Sequence, residues 1–247
     1  MKEAKKRLDV EMVSRGMTDS RQKAQALILA GQVIVDGRKA VKAGEPVTGE
    51  TKIEIIEGLP YVSRGGLKLK AALDNFKISV AGLVCADIGA STGGFTDCLL
   101  KEGAKKVYSV DVGYGLIDSR LRNDPRVSVI ERVNFRHAGA GFLDEPVDFA
   151  SVDVSFISLK LILPPINLNL KHGGLVVALV KPQFEVGREG VGRGGIVRDE
   201  SARETALREV TKFAESIGFK AQGAMESPVK GAKGNLEYLL YLHKAEP

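Results

Sequence analysis

Apolar positions recur at two different periods along this chain, and the change between them divides it. From Lys5 to Ser14, Leu8, Met12 and Val13 fall on one helical face, and Gly16 closes the run. Ser20 suits an N-cap for a second helix, Arg21 to Ala30, with Ala24, Leu27 and Ile28 as its stripe and Gly31 as its stop. Val33-Ile34-Val35 reads as a strand running into Asp36-Gly37, a strong hairpin signal, and Thr51 to Ile56 alternates as the closing strand. The pattern predicts a small α+β unit over residues 1–58, a linker over 59–66, and a new helix from Leu67 to Asn75.

Beyond Leu83 short apolar strands alternate with helical runs. Leu83–Ile88, Lys106–Val110, Arg126–Ile130, Val147–Val152 and Leu175–Val180 are strand-sized, which predicts βαβ units around a parallel sheet. A helix over Ser201–Ser216 and two closing strands, Lys220–Met225 and Leu236–Leu242, complete the α/β body. Residues 185–198, rich in Gly and Arg, are long enough for a lid.

Composition removes several classes. A hydrophobic share of 44% with 27% charged residues is globular, which excludes disordered and fibrous chains. The longest apolar run, Gly174 to Val180, falls far short of the roughly 20 residues that span a bilayer. The charged start of the chain lacks an apolar h-region, and Cys85 and Cys98 form no disulfide framework, so the expectation is a reduced, cytoplasmic protein. The net charge is +5; residues 1–70 hold 14 Lys/Arg against 9 Asp/Glu, and the remainder 22 of each. That asymmetry predicts a polyanion partner for the N-terminal part. Arg7, Arg15, Arg21, Lys23, Arg38, Lys39 and Lys42 are its candidate contacts, either for RNA or as an ordinary solvated face.

Candidate chemistry gathers at strand ends. Asp87-Ile88-Gly89-Ala90-Ser91-Thr92-Gly93-Gly94-Phe95 follows the first strand and opens a helix, where glycines admit a ligand close to backbone N–H groups. Asp111 ends the second strand, where an acid can accept from both ribose hydroxyls. The spacing departs from the dinucleotide fingerprint, and Asp87 would repel a pyrophosphate; an adenosine with a cationic end, as in S-adenosylmethionine, fits better. Glu131, Asn134 and Phe135 either hold the adenine or form a surface loop. Asp153 and Lys181 end the fourth and fifth strands, and a lysine after so apolar a strand calls for a partner, which Asp153 can supply. With Lys68 as a second cation, Lys181 suits a general base. Glu237 is a charge in an apolar run, either functional or on a sheet edge. His137, His172 and His243 are scattered, and no metal site is expected.

These segments resemble known families. Arg7-Leu8-Asp9, Ser20-Arg21-Gln22-Lys23-Ala24 and Gly31 to Gly37 resemble the S-four RNA-binding domain. The Asp87–Phe95 loop, Asp153-Val154-Ser155-Phe156-Ile157-Ser158 and Lys181-Pro182-Gln183-Phe184-Glu185 resemble FtsJ-like ribose methyltransferases. Joined through Tyr61 to Lys68, the whole is similar to the TlyA family of rRNA methyltransferases, often labelled haemolysins. The resemblance implies a Rossmann-like methyltransferase sheet behind a small RNA-binding domain. It implies S-adenosylmethionine as cofactor, ribosomal RNA as partner and cytidine 2′-hydroxyls as the target. It also implies a Lys68, Asp153, Lys181 and Glu237 tetrad, and adds Ser20 and Arg64 to the RNA contacts. The linker departs from the family's tryptophan-containing tetrapeptide, reading Leu59-Pro60-Tyr61-Val62 in a chain with no Trp. Two rival functions stand beside this one: a non-catalytic ribosome-assembly factor, and a membrane-lytic haemolysin, against which the missing apolar span argues.

Overall fold

The computed structural model describes residues 5–29, 31–56, 60–187, 190–192 and 194–246. It divides into two compact units, Met1–Pro60 and Tyr61–Pro247. The first unit holds 11 Lys/Arg against 9 Asp/Glu, so three of the five surplus cations, Arg64, Lys68 and Lys70, belong to the second unit. A polyanion surface on the first unit therefore depends on where its charges point rather than on their sum.

In the first unit β1 (Lys6–Arg7) pairs antiparallel with β4 (Pro46–Val47), and α1 (Leu8–Ser14) starts only after it. The helical pattern from Lys5 overshoots because Leu8 N donates to Glu45 O at 2.8 Å, holding the preceding residues extended. Ser20 Oγ accepts from Lys23 N and caps α2 (Arg21–Leu29); Ala30, the expected last residue, lies outside the described residues. β2 (Val33–Val35) pairs with β3 (Arg38–Lys39) on one side and β5 (Ile53–Ile55) on the other, both antiparallel. Asp36 and Gly37 both take positive φ, 46° and 80°, the geometry a two-residue hairpin requires. Leu8, Met12, Ala24, Ile28, Val33 and Val35 make the core.

The second unit is a seven-stranded sheet between helices. Its elements are α3 (Gly65–Phe76), β6 (Val84–Ile88), α4 (Gly94–Lys101), β7 (Lys106–Val110), α5 (Ser119–Arg122), β8 (Val127–Ile130), β9 (Val147–Val152), α6 (Leu163–Asn169), β10 (Leu170–Val180), α7 (Pro182–Glu185), α8 (Glu200–Ser216), β11 (Phe219–Glu226) and β12 (Tyr238–Lys244). The strand order is β11-β12-β10-β9-β6-β7-β8. The pairs from β10 through β9, β6 and β7 to β8 are parallel, and β12 runs antiparallel between β10 and β11. Alternate residues of the buried strands feed two cores. Cys85, Phe149, Val177 and Leu179 pack with α3 and α4, while Ala86, Ile88, Ala150, Val152 and Val180 pack with α6 and α8. Both cysteines are free and buried, and burial pushes the Cys85 thiol up to about 12. Among the described residues, no helix is long and apolar enough to cross a membrane.

Of the expected linker 59–66, Leu59 lies outside the described residues, Tyr61–Gly66 belong to the second unit, and the last two open α3. Val62 N donates to Asp97 on α4, and Gly66 lies where any side chain would collide with the Tyr61 ring. Within the expected lid, 185–198, α7 takes the start and Gly192 bridges Ile196; residues 188, 189 and 193 lie outside the described residues.

Candidate active site

The sheet order itself selects a location. The chain lays down β6, grows outward through β7 and β8, then returns to place β9 on the other side of β6. Ligands of open α/β sheets bind beyond the carboxyl ends of strands at such a reversal. Gly89 follows β6 and Asp153 follows β9, and they approach so closely that a Cβ on Gly89, whose φ is +88°, would strike the Asp153 carbonyl. Lys181 follows β10 directly. Because β12 is antiparallel and Tyr238 pairs with Val180, Glu237 arrives at the same rim from the opposite direction. β12 is an interior strand and Glu237 is 2% exposed, so the sheet-edge alternative is overturned.

Two cavities meet there. The first, about 420 Å³, is walled by all four tetrad residues together with Arg64 and Phe95. The second, about 1050 Å³, lies over the ends of β6 and β7 and is walled by Asp111, Asn134 and Phe135. Gly89, Ser91, Asp153, Ser155, Phe156 and Phe184 line both. The tetrad resolves into two ion pairs. Lys68 Nζ, on α3, donates to Glu237 Oε2 at 2.6 Å, and Lys181 Nζ lies 2.6 Å from Asp153 Oδ1 while donating to Ser155 Oγ at 2.8 Å. Lys181 thus has the partner its setting demands, whereas Lys68 is bound to a carboxylate rather than left as a bare second cation.

The cofactor candidates separate into wall and support. Asp111 lines the second cavity, with Oδ2 accepting from Ser91 N at 2.7 Å and Oδ1 from Gly113 N at 2.6 Å. Each oxygen keeps acceptor capacity for a further donor. Thr92 and Gly94 line the first cavity, and Asn134 Oδ1 caps the short turn that holds buried Phe135. Asp87 is placed differently from the sequence expectation. Its carboxylate is fully buried beneath the loop, accepting from Thr96 N (2.9 Å), Thr96 Oγ1 (2.7 Å) and Ser151 Oγ (3.4 Å). Ser109 and Ser151 flank it because they are its register partners on β7 and β9, and burial pushes its carboxyl up to about 7. Glu131 is also off the walls, its Oε1 taken by Arg122 and by Gly115 N, and the Arg122 hydrogen bond lowers its carboxyl below the usual range. Gly93 turns the chain at φ +92° against Leu121 and Ile117, also off the walls.

Ser155 and Phe156 are among the wall residues to which the sequence reading gave no role. Ser155, the second partner of Lys181, and Phe156 both follow Asp153 in the strand-end loop. Phe156 is 91% exposed, takes a left-handed φ of +63°, and packs on Phe184 at 5.1 Å. Local sequence does not single them out, because Val154 and Ile157 make an apolar residue in this loop ordinary.

In the first unit Arg15 differs from expectation. Its guanidinium donates to Glu11 and to the carbonyls of Thr48, Gly49 and Thr51, all within 2.9 Å, so it ties α1 to the β4–β5 turn. Arg7 and Arg21 are instead fixed on buried Asp9 with their outer faces open. Arg38 pairs with Glu45 and Lys23 with Asp19; Ser20 serves its cap, and Lys39 and Lys42 are exposed.

Comparison with known proteins agrees with this division. Residues 61–244 match the family described as FtsJ-like methyltransferase, and residues 6–53 match the S4 domain. Hemolysin A of Brachyspira hyodysenteriae is 46% identical over 236 residues, covering 95% of this chain and 98% of that one. The 16S/23S rRNA (cytidine-2′-O)-methyltransferase TlyA of Mycobacterium tuberculosis is 45% identical over 238 residues, covering 96% and 89%. A solved structure from Streptococcus thermophilus, provisionally named a hemolysin, superimposes with a TM-score of 0.76 at 48% identity, covering 98% and 89%. With a tetrad-lined cavity at the switch point and likeness over nearly its whole length, the chain belongs to the TlyA family of FtsJ-like methyltransferases, with an S4 domain ahead of the enzyme domain.

Proposed function

We propose that the protein methylates the ribose 2′-hydroxyl of cytidine in ribosomal RNA, using S-adenosylmethionine. The observation that carries this reading is the convergence of Lys68, Asp153, Lys181 and Glu237 on one cavity that shares a wall with a second, nucleoside-sized one. The cofactor fits the residues present. Asp111 offers free acceptor capacity to ribose hydroxyls, Asn134 and Phe135 offer polar and apolar contacts to an adenine, and Gly89 lets the β6 loop close on the Asp153 backbone where both cavities meet. Asp87 and Glu131 support these walls from behind. When bound, the cofactor supplies an electrophilic methyl on a sulfonium.

The remaining work belongs to the chain. Lys181, once it has given its own proton to solvent, takes the proton of the attacking 2′-hydroxyl, and Asp153 and Ser155 hold its Nζ in place. Lys68, fixed by Glu237, supplies positive charge beside the oxygen as it develops charge. Asp111, Asn134 and Phe135 would hold the cofactor, and the methyl it would supply would pass to that oxygen, leaving a neutral thioether. Much of the acceleration comes from placing the hydroxyl, because the acid and base groups are already held by each other. Phe156 and Phe184 give the target nucleotide an apolar edge at the cavity mouth. Arg7, Arg21, Lys23, Arg38, Lys39 and Lys42 on the first unit, with Arg64 on the second, contact RNA phosphates.

The test is transfer of labelled methyl from S-adenosylmethionine to purified ribosomal subunits from a strain lacking the protein. Label recovered in an alkali-resistant dinucleotide containing cytidine is the expected result. Binding of cofactor with no label in either subunit would favour a non-catalytic assembly role.

A further inference from the structure

The last residue of α7 is a carboxylate outside both cavities. Glu185 Oε2 accepts from Ser158 Oγ at 2.6 Å, and its Oε1 accepts from Leu159 N at 2.8 Å. Ser158 Oγ in turn accepts from Lys160 N, so the hydroxyl links Glu185 to the turn that ends this loop. Nearer the sheet, Phe184 packs on Phe156, and Lys181 meets Asp153 and Ser155. The segments 153–159 and 181–185 are therefore fastened at three levels. The inner two sit on cavity walls; at the outermost, Ser158 lines the second cavity while Glu185 itself lies off both. The fastening has strain to hold, because Phe156 is a non-glycine residue at φ +63°, a conformation that persists only where its surroundings impose it.

We propose that Glu185 is a positioning residue for methyl transfer: by locking segment 153–159 to α7 it keeps Asp153 and Ser155 on the Lys181 nitrogen. This rests on the role given to Lys181 above. Stability alone does not account for a carboxylate here. Burial pushes it above the ordinary carboxylate range in spite of two donors and the attraction of Lys160, so a neutral amide of the same shape would avoid a desolvation cost. What the carboxylate offers is two strong acceptors, fixed at once on a hydroxyl and on a backbone N–H.

The experiment uses the full chain as parent, Glu185→Gln and Glu185→Ala. Three quantities are read: the melting midpoint; single-turnover methyl transfer to ribosomal RNA at saturating cofactor and RNA, well below melting; and acetylation of Lys181 and Lys68 by acetic anhydride, followed by mass spectrometry. Glu185→Gln should melt no lower than the parent yet transfer several-fold more slowly, since its amide oxygen still accepts from Leu159 N but its NH2 cannot accept from Ser158 Oγ. Glu185→Ala should slow transfer by about tenfold or more, the scale of a misplaced reacting group. Its Lys181 should also acetylate several-fold faster, while Lys68, held by Glu237, keeps the parent rate. Parent-like transfer by Glu185→Ala overturns the proposal, and so does equal acceleration of both lysines, which would mean general loosening. If the parent itself transfers no methyl, the functional reading fails, but the acetylation ratio still decides whether Glu185 holds Lys181 in place.

Discussion

The two units treat their charges in opposite ways. In the first, the acid is inside and the cations face out: Asp9 is fully buried, held well below the usual carboxylate range chiefly by Arg7, while Arg7 and Arg21 remain 52% and 56% exposed. At the strand ends of the second, both pairs are drawn in: Lys68 and Lys181 are each 10% exposed, against Glu237 at 2% and Asp153 at 24%. An arginine pinned from behind presents fixed donors to whatever anion approaches, and loses little entropy in binding it. A lysine withdrawn from water pays desolvation, and that cost is justified where its charge or proton is used. On the proposed reading, the same residue types serve docking in one unit and chemistry in the other, with burial as the difference.

The sharpest way to break that contrast is at the inner pairs. Lys181→Ala should cut methyl transfer by about 10²–10⁴-fold, as loss of a general base does. Parent-like turnover in a folded variant would remove Lys181 from the chemistry. Glu237→Leu should be the most damaging to stability, by about 3–5 kcal/mol, because it leaves Lys68 buried and unpaired. Adding Lys68→Met should restore much of that stability without restoring transfer. Urea unfolding of the three variants separates the outcomes; a double variant no more stable than the single one would mean that the pair is not the source of the loss.

The outline of the second unit was legible because its central strands are buried on both faces and read as largely apolar runs. Lys106–Val110 and Val147–Val152 stand as the pattern predicts. Asp153 and Lys181 were legible for a related reason, as charges immediately after such runs. Asp87 was misplaced because sequence shows that it stands at the end of an apolar strand but not that Thr96, Ser109 and Ser151 close around it from α4, β7 and β9. Arg15 was misplaced likewise, since its partners are carbonyls more than thirty residues away. Glu237 required the antiparallel insertion of β12, which local pattern does not reveal. Tertiary hydrogen bonding, invisible to periodicity, accounts for each of these differences.

Asp87 gives a prediction of intermediate size. Its carboxyl holds a proton in the folded protein up to about 7, whereas an unfolded chain releases it near the ordinary carboxylate value. Between those values the folded state binds more protons, so stability falls as pH rises, by up to about 1.4 kcal/mol per unit from this group. Asp87→Asn keeps an acceptor for Thr96 and should flatten that slope while leaving S-adenosylhomocysteine affinity near the parent's. Loss of affinity beyond a fewfold, with the fold intact, would return Asp87 to direct cofactor contact.

The smallest effects lie in the first unit, and they test whether facing outward is what distinguishes a docking arginine. Arg15 is 27% exposed and spends its donors on three carbonyls and Glu11, so Arg15→Ala should destabilise the unit by about 1–3 kcal/mol through acceptors left without partners. Its effect on RNA affinity should appear only near the melting range. Arg21 makes one long contact to Asp9, at 3.3 Å, which Arg7 and Gln25 also satisfy, so Arg21→Ala should change stability by no more than about 0.5 kcal/mol. If its guanidinium meets a phosphate, the logarithmic salt dependence of RNA binding should weaken by about one unit. The two variants should therefore separate on different axes, one in melting temperature and the other in salt slope. An Arg15→Ala protein that is parent-like in stability but shows the reduced slope would reverse the assignment, and with it the rule that burial sorts these charges by task.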